Sequence, residues 1–301
     1  MSFKILVLGC GSATPFLGRY QTSMLLEHNQ QLYLLDCGEG IQMQMLKYEV
    51  KFARLNHIFI SHLHGDHYLG LIGLLSTLQS WGRKKDLYLY GPAGLKEILS
   101  LQLKYQNTSL DYQIHLTETN PDTKTVIIDN DTLSVTTLPL QHRLPTTGFI
   151  FKEKEGPRKL IKGKIPVGIK VSHLHQLKLG NDVFDEGGNL LYKNEDYTTA
   201  PDKTASFAYV TDTIYDPSIV PHLQGVEMMF HETTFLDELQ GRALQTYHST
   251  TKQAANIAKE AGVKKLLIGH FSARYKDLSA FETEAREIFK ETFLAKEGEV
   301  F

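Results

Sequence analysis

The chain contains one short segment in which metal-binding side chains are dense. His62, His64, Asp66 and His67 occupy four of six consecutive positions in the stretch His62-Leu63-His64-Gly65-Asp66-His67. The i, i+2 spacing of the first two histidines suits an extended turn, in which alternate side chains face the same way. It differs from the i, i+4 pair of a helical zinc protease motif. Because Asp66 and His67 turn toward a second position as a helix begins, this one loop can serve two adjacent metal ions.

The ligand types indicate the kind of metal. Imidazole and carboxylate ligands without a thiolate favour Zn²⁺, with Mn²⁺, Co²⁺ and iron as alternatives. Two such ions need roughly eight ligand contacts, so distant parts of the chain must contribute. Asp212 can bridge the two ions, because its carboxylate has two oxygens. Three candidate ligands each follow a predicted strand: His142 after Thr136–Leu140, Asp212 after Phe207–Val210 and His270 after Leu266–Ile268.

Hydrophobic periodicity predicts the elements that position these residues. Short apolar runs, most of them rich in β-formers and ended by turn residues, predict strands along much of the chain. Helical patterns lie between some of them, at Tyr68–Ser80, Ala93–Tyr105, Ser249–Ala261 and Ser279–Phe293. Thr250, with Gln253 three residues later, is a capping-box arrangement. The combination predicts a mixed α/β fold in which two sheets pack face to face with helices outside.

One long segment lacks such periodicity and carries an excess of basic residues. Lys152–Thr199 shows little regular pattern, and Lys152–Lys170 contains seven Lys or Arg residues against two Glu. A stretch of this length without a core pattern is usually functional or disordered. Charge alone leaves two interpretations open, a solvated surface insertion and a basic appendage that binds a polyanion.

The overall composition excludes several classes of protein. The 301 residues include 32 Lys or Arg, 34 Asp or Glu, 13 His and 2 Cys, and the formal net charge is −2. The apolar (42%) and charged (22%) fractions are those of a globular protein, not of a disordered chain. Two cysteines cannot build a disulfide framework, and no run of about 18 apolar residues is present to span a membrane. We therefore expect a cytoplasmic protein with free thiols, no disulfide partner and no membrane contact.

These residues together resemble the metallo-β-lactamase superfamily, and four further motifs resemble its ribonuclease Z family, the endonucleases that process tRNA 3′ ends. The motifs are Asp36-Cys37-Gly38-Glu39-Gly40, His231-Glu232-Thr233-Thr234-Phe235, His248-Ser249-Thr250 and Gly269-His270-Phe271-Ser272-Ala273-Arg274-Tyr275. The resemblance runs from Phe3 to about Phe289. It implies a four-layer αββα sandwich formed by residues 1–301 as a single domain, with a flexible basic arm inserted at 151–199 that grips tRNA. It also implies a homodimer with two Zn²⁺ ions per chain.

The resemblance implies two ligand sets that share one residue. His62, His64, His142 and Asp212 would hold one zinc ion, and Asp66, His67, Asp212 and His270 would hold the other. As a ligand beside the attacking water, Asp66 is placed to orient that water and accept its proton. The family assigns His248 as the general acid for the leaving 3′ oxygen, a step that suits an imidazole whose pKa lies near working pH. The alternative for His248 is a structural or capping histidine before the helix at Thr250.

Other residues are candidates for supporting roles. Glu232 is a candidate to orient His248. Asp36 follows a strand and is a candidate to hold a ligand histidine by its other nitrogen, with a plain turn aspartate as the alternative. Arg274 is a candidate phosphate contact, against a structural ion pair. The candidate RNA-binding residues of the arm are Lys159, Lys162 and Lys164.

Two segments depart from the family pattern. The family's N-terminal loop reads Pro-x-Lys-x-Arg-Asn, whereas Pro15-Phe16-Leu17-Gly18-Arg19-Tyr20 has Leu17 in place of Lys and Tyr20 in place of Asn. The family ties this loop to the handling of tRNA that ends in CCA and to the position of the cut. The arm segment Ile165-Pro166-Val167-Gly168-Ile169 lacks the second proline of the family's Gly-Pro turn.

The implied function is zinc-dependent removal of the 3′ trailer from precursor tRNA, which leaves a 3′-hydroxyl on the tRNA. A basic arm on an acidic remainder fits a folded RNA held by shape and phosphate contacts. The main alternative is a small-molecule phosphodiesterase for cyclic nucleotides or aryl phosphodiesters, which has no use for the arm. A β-lactamase or thiolesterase needs no basic arm either. A non-catalytic RNA-binding protein with structural zinc is disfavoured, because structural sites are closed, single and often rich in cysteine.

Overall fold

The first half of the chain forms a six-stranded sheet. The computed structural model describes residues 3–16 and 18–301, so Leu17 of the N-terminal loop lies outside the described residues. The strands are β1 (Lys4–Gly9), β2 (Ser23–His28), β3 (Gln31–Leu35), β4 (Leu55–Phe59), β5 (Leu87–Gly91) and β6 (Ile114–Glu118). They lie side by side in chain order, with β1 to β3 antiparallel and β3 to β6 parallel. The loops that follow β3 and β4 therefore leave the sheet at the same edge.

Helices cover the outer face of this sheet. They are α1 (Ile41–Lys47), α2 (Gly65–Tyr68), α3 (Gly70–Ser80) and α4 (Leu95–Tyr105). Leu71, Leu74 and Leu75 of α3 share an apolar cluster with Ile58 of β4 and Leu89 of β5, and all five side chains are fully buried. The helices predicted near residues 68–80 and 93–105 are therefore present.

The chain then crosses to a second sheet, which packs face to face on the first. It enters that sheet as an antiparallel meander of β7 (Val126–Asp129), β8 (Leu133–Leu140) and β9 (Thr146–Glu153). Phe149 and Phe151 of β9 contact the ring of Phe59 on β4 edge to face, with centroids 5.1 and 5.3 Å apart. Large aromatic rings that alternate along a strand bury much apolar area, so they hold the two sheets together.

The segment after β9 forms short elements outside the two large sheets. They are β10 (Lys159–Leu160), α5 (Val171–Lys178), β11 (Val183–Phe184), β12 (Leu190–Tyr192), α6 (Asn194–Tyr197) and β13 (Thr198–Thr199). β10 pairs with β13, and β11 pairs with β12. Leu177 and Val183 are buried here, and the side-chain amide of buried Asn194 donates to the carbonyl of Leu177. Elements this short cannot display a hydrophobic period, which explains why the sequence showed little pattern.

The chain then completes the second sheet, whose strand order is β17-β16-β15-β14-β9-β8-β7. The added strands are β14 (Ser206–Val210), β15 (Met228–Glu232), β16 (Lys265–Gly269) and β17 (Thr292–Leu294), and the added helices are α7 (Val220–Leu223), α8 (Gln240–Thr246), α9 (Thr251–Ala261) and α10 (Ser279–Arg286). The predicted capping box at the start of α9 is confirmed, since Thr250 and Gln253 bond to each other's backbone N–H groups. The two facing sheets with outer helices confirm the predicted mixed α/β class.

One helix prediction is wrong at its C-terminal end. The pattern predicted a helix over Ser279–Phe293, but α10 ends at Arg286 and Thr292–Leu294 is a strand. That strand pairs in parallel with β16, so backbone pairing and burial at the sheet edge outweigh local helical periodicity. None of the helices in the described parts of the chain combines the length and apolar character that crossing a membrane demands.

Candidate metal centre

The seven predicted ligands lie at one edge of the sandwich. The segment His62–His67 follows β4 and leads into α2, while His142, Asp212 and His270 follow β8, β14 and β16. Strands that run in the same direction end at the same edge of a sheet, so these loops converge. His270 has a φ of 63°, which turns the chain sharply as β16 ends.

Close backbone contact between two loops fixes the first part of the site. A Cβ atom on Gly70 would lie 1.9 Å from the carbonyl oxygen of Gly38, and one on Gly38 would lie 2.5 Å from that of Asp66. The Cys37 N–H donates to the carbonyl of His67 at 2.7 Å. Glycine at both positions therefore lets the loop after β3 pack directly on the loop that carries the ligands.

One group of ligands gathers around His64. Its members are His62, His64, His142 and Asp212, and one ligand atom from each lies within 4.8 Å of the others. The Nε2 atoms of His62 and His142 lie 3.0 and 3.1 Å from Nδ1 of His64. Asp212 Oδ2 lies 3.7 Å from Nε2 of both His62 and His142. Four donor atoms therefore surround one small space.

A second group lies on the other side of Asp212. Asp66, His67 and His270 bring one ligand atom each within 4.8 Å of one another. Asp212 Oδ1 lies 3.5 Å from Nε2 of His67 and 3.2 Å from Nε2 of His270. Each oxygen of the Asp212 carboxylate thus faces a different group, as a bridging ligand requires.

The second ring nitrogen of four candidate ligands is held by a hydrogen-bond partner. The pairs are His62 Nδ1 with Ser61 Oγ (2.9 Å), His67 Nδ1 with Asp36 Oδ2 (2.8 Å), His142 Nδ1 with the Tyr247 carbonyl (2.8 Å) and His270 Nδ1 with Thr234 Oγ1 (2.8 Å). Such partners fix the ring orientation and tautomer, and they leave Nε2 with a free lone pair. Asp36 therefore makes the contact that the sequence suggested for it.

The burial and charge of the cluster fit a bound cation. Nε2 of His67 and Nε2 of His270 are buried without a hydrogen-bond partner. Burial alone would lower the pKa of His67, but the carboxylates of Asp66, Asp212 and Asp36 outweigh it and raise that pKa well above its usual value. Carboxylates around unpartnered imidazole nitrogens form an environment that stabilises positive charge, so these residues can hold metal ions.

Other histidines of the cluster are held in the neutral form that binds metal. Burial is the main cause that lowers the pKa of His142 to about 4. Burial and the neighbouring His67 also lower the pKa of His62 well below its usual value. A neutral imidazole keeps the lone pair that a metal ion needs.

His248 lies beside the two groups, and one of its ring nitrogens lies within 4.8 Å of ligand atoms of Asp212 and His270, but its environment is different. Its Nδ1 is 2.9 Å from Oε1 of Glu232, which is fully buried and also accepts from the Ser249 N–H. Burial would lower the pKa of His248, but the Glu232 carboxylate outweighs it and raises that pKa to about 9. Glu232 therefore makes the contact predicted for it, and this contact favours the protonated form of His248.

A cavity of about 300 Å³ opens onto both groups. Besides candidate ligands and His248, its wall includes Ser12, Arg143, Thr234 and Ser272. Arg143 and Thr234 were not predicted from the sequence, although Arg143 directly follows the candidate ligand His142 and Thr234 lies within the motif that begins at His231. The carbonyl of Tyr247 was not predicted either, since no sequence pattern indicates a backbone acceptor.

The remaining candidates lie away from the ligand groups. Arg274 is exposed, its guanidinium lies 5.0 Å from the centre of the Phe235 ring, and its Nε donates to Ser272 Oγ. Lys159 forms an ion pair with Asp202. Lys162 and Lys164 are exposed, and no ion-pair partner for them occurs among the described residues. Arg274 thus supports the cavity wall, and two of the three candidate lysines have unpaired charges.

Sequence comparison relates the whole chain to one enzyme family. A protein named ribonuclease Z from Cytophaga hutchinsonii is 46% identical over 301 residues, which cover 100% of this chain and 96% of that protein. A protein of the same name from Bacteroides fragilis is 44% identical over 297 residues, covering 98% and 97%. The similarity is therefore not confined to the metal-ligand motifs.

Structural and family-model comparisons add two further likenesses. The short form of human tRNase Z has a TM-score of 0.73 at 24% identity, covering 99% of this chain and 98% of that one. At this level of identity the likeness concerns the fold. The family model described as "Anti-Pycsar protein Apyc1" matches residues 3–155. That range includes His62–His67 and His142, and it ends before Asp212 and His270.

The bridging position of Asp212 leads to a prediction about metal content. Asp212→Ala removes an oxygen ligand from both groups, so both ions should be lost. Asp66→Ala, which touches only the second group, should keep one. The affinity loss in Asp212→Ala should exceed the roughly 10- to 100-fold cost of losing an outer hydrogen-bond partner. Metal analysis of gel-filtered protein measures this, and two ions retained by Asp212→Ala would contradict the bridging role.

Proposed function

Because the chain belongs to the ribonuclease Z family, we propose that it is a zinc-dependent endoribonuclease that removes the 3′ trailer from precursor tRNA. The reaction is hydrolysis of one phosphodiester, and it leaves a 3′-hydroxyl on the tRNA. The observation that carries the proposal is the pair of ligand groups that share Asp212 at the wall of an open cavity. An open face is what a catalytic metal site has and a structural one lacks.

We assign two Zn²⁺ ions per chain to the two groups. The imidazole and carboxylate donors, without cysteine, suit zinc best. When bound, such ions supply Lewis acidity toward a phosphate oxygen and lower the pKa of water. The residues that would hold them are His62, His64, His142 and Asp212 for one ion, and Asp66, His67, Asp212 and His270 for the other.

The chain's own residues divide the proton transfers. Burial raises the pKa of Asp66, but the charge of His67 and hydrogen bonds from His270 and His67 outweigh burial and lower that pKa below its usual value. Asp66 therefore stays a carboxylate that can accept a hydrogen bond from the attacking water and orient it, and we assign it to accept the proton of that water. His248 is held by Glu232 and lines the same cavity, so it can protonate the leaving 3′ oxygen. Asp66 thus acts on the attacking water, and His248 acts on the leaving oxygen.

We propose that residues 151–199 form the arm that grips the tRNA, inserted in a single domain of residues 1–301. Lys162, Lys164 and Lys170 are exposed, and they offer positive charge to phosphates. The cavity wall has few cations apart from Arg143. A folded RNA would therefore be held at two places, by its body on the arm and by one phosphate at the ligand groups.

A small-molecule phosphodiesterase is the second candidate function. The first half of the chain also belongs to the family described by the Apyc1 model, and that match contains five of the seven candidate ligands but only the first five residues of the arm. The same two ligand groups would hydrolyse a small phosphodiester. The arm is therefore the feature that separates the two candidates.

We propose a homodimer on the basis of an exposed apolar surface formed by α1 and the residues around α3. Met43, Leu46, Leu69 and Trp81 are 62%, 48%, 43% and 55% exposed. Leu46 and Trp81 also line one groove of about 820 Å³, where Phe52 packs edge to face on the indole. Exposed apolar patches of this kind mark interfaces.

We also place the protein in the cytoplasm, which the two buried, unpaired cysteines Cys10 and Cys37 support.

The substrate assignment is tested by replacing residues 157–201 with a short Gly-Ser linker. The Glu153 N–H donates to the carbonyl of Ala205, so the two ends of the segment lie side by side and a short linker can join them. We expect cleavage of labelled precursor tRNA to fall at least about 100-fold because the phosphate contacts are lost. Hydrolysis of a chromogenic phosphodiester should remain within about twofold.

A matched pair of lysine variants controls this experiment. Lys162→Ala with Lys164→Ala should weaken tRNA binding and reduce its salt dependence. Lys96→Ala with Lys104→Ala, both on α4, should change neither property. Failure of the intact protein to cut any precursor tRNA, while it hydrolyses the chromogenic diester, would favour the small-molecule candidate. Equal loss on both substrates without the arm would also count against the tRNA assignment.

The acid role of His248 predicts a separation of metal binding from rate. His248→Ala should keep both ions, because neither ligand group needs this residue, and should lower single-turnover cleavage by about 10²- to 10⁴-fold. His222→Ala, an exposed histidine outside the cavity, is the control. Metal analysis together with single-turnover kinetics checks both parts. A variant that cuts at the wild-type rate removes His248 from the mechanism.

The proposed interface predicts the mass in solution. Light scattering should give twice the 34.1 kDa chain mass for the wild type. Trp81→Glu should give a monomer, because a charge would be buried in the interface. Leu101→Glu, at an exposed apolar residue of α4, should remain dimeric. A monomeric wild type, or a dimer that tolerates Trp81→Glu, would contradict the assignment.

A further inference from the structure

The carboxylate of Asp36 collects hydrogen bonds from both sheets. Its Oδ2 lies 2.9 Å from Ser61 Oγ, 2.8 Å from His67 Nδ1 and 2.8 Å from Tyr209 Oη. Its Oδ1 accepts from the Ser61 N–H at 2.8 Å. Ser61 and His67 follow β4 in the first sheet, whereas Tyr209 lies on β14 in the second sheet. The Tyr209 hydroxyl is therefore a polar link from one sheet to the other beside the ligand groups.

This link lies between the two sources of ligands. The first sheet supplies His62, His64, Asp66 and His67, and the second supplies His142, Asp212 and His270. Tyr209 is three residues before Asp212 on the same strand and its loop. Asp36 contacts His67 directly. One hydrogen bond thus connects the residue that orients His67 with the strand that carries the bridging carboxylate.

We propose that the Tyr209 hydroxyl is a positioning group that fixes the distance between the ligands of the first sheet and Asp212, and so sets the affinity of the metal centre. The proposal rests on the metal centre of the proposed function. Among the described residues, the Tyr209 hydroxyl makes no hydrogen bond to a candidate ligand. It acts through its hydrogen bond to Asp36.

The surroundings of Tyr209 favour a specific role for the hydroxyl over mere filling of the core. The side chain is fully buried, and its ring stacks on Phe230 with centroids 5.1 Å apart. A phenylalanine would keep that apolar contact. Burial, with the charge of Asp36, raises the pKa of Tyr209 well above its usual value, so the hydroxyl keeps its proton and donates it. Because Asp36 is fully buried, loss of this donor cannot be made good by solvent.

The test uses Tyr209→Phe in the full-length protein. Stepwise Zn²⁺ affinities are measured by competition with a chromophoric chelator, and the unfolding midpoint of the metal-free protein is measured in parallel. We expect the weaker of the two zinc affinities to fall about 10- to 100-fold, as when other outer partners of metal-binding histidines are removed. The visible spectrum of the Co²⁺-substituted protein should also change, because it reports ligand geometry.

Tyr112→Phe is the matched control. Tyr112 is also buried and donates its hydroxyl in a hydrogen bond, to the carbonyl of Leu75, but it lies in the helix-covered core of the first sheet. It should lower stability without changing zinc affinity or the cobalt spectrum. Either of two results would overturn the positioning role. One is a zinc affinity of Tyr209→Phe within twofold of wild type, and the other is an equal loss of zinc affinity in Tyr209→Phe and Tyr112→Phe.

The outcomes also separate this inference from the proposed function. Normal zinc binding by Tyr209→Phe, in a protein that cuts precursor tRNA, overturns the link alone. A wild-type protein that binds no zinc overturns the metal centre and the link together. If Tyr209→Phe proves too unstable to titrate in plain buffer, the wild type, Tyr209→Phe and Tyr112→Phe are all titrated in sucrose, which stabilises folded proteins because it is excluded from their surface. A Tyr209→Phe zinc affinity within twofold of wild type under these conditions would overturn the positioning role.

Discussion

The carboxylate of Asp212 is the constraint on which the site depends. Its two oxygens face two separate groups of donors, and each oxygen lies 3.2 to 3.7 Å from two imidazole nitrogens of its group. A buried carboxylate among buried imidazoles is costly unless charge is balanced. Positive charge between Asp212 and each group supplies that balance, and the proposed zinc ions provide it. The fold must therefore hold Asp212 in a fixed position between ligand-bearing loops from two different sheets.

Two kinds of contact position the two sheets around Asp212. Edge-to-face contacts of Phe59 with Phe149 and Phe151 hold the sheets together across the core. Closer to the site, hydrogen bonds orient the histidine rings. Examples are the bonds of Asp36 to His67 and of Glu232 to His248. Apolar packing sets the approximate spacing of the sheets, and the hydrogen bonds set the angles of the individual rings.

Local sequence was enough to predict the parts of the site that depend on local geometry. The spacing within His62–His67 indicated two ligand positions, and the strands before His142, Asp212 and His270 indicated that these residues meet at one edge. The structure brings all of them together in two groups. The capping box at Thr250 was predictable for the same reason, because its partners lie three residues apart.

The rest depends on contacts between distant residues. Tyr209 meets Asp36 only because two sheets pack in one register, and no period in the sequence encodes that pairing. The strand Thr292–Leu294 was mistaken for helix, because its pairing with β16 is not visible in local periodicity. The Lys159–Asp202 ion pair likewise joins residues far apart in sequence, so a count of basic residues alone overstated the free charge of the segment.

We propose that one metal ion lies on each side of the Asp212 carboxylate. Crystals of the zinc-loaded protein, measured at the zinc absorption edge, test it most directly. We expect two anomalous peaks per chain, one bounded by His62, His64 and His142 and the other by Asp66, His67 and His270, with Asp212 between them. A single peak, or a peak away from Asp212, would contradict it.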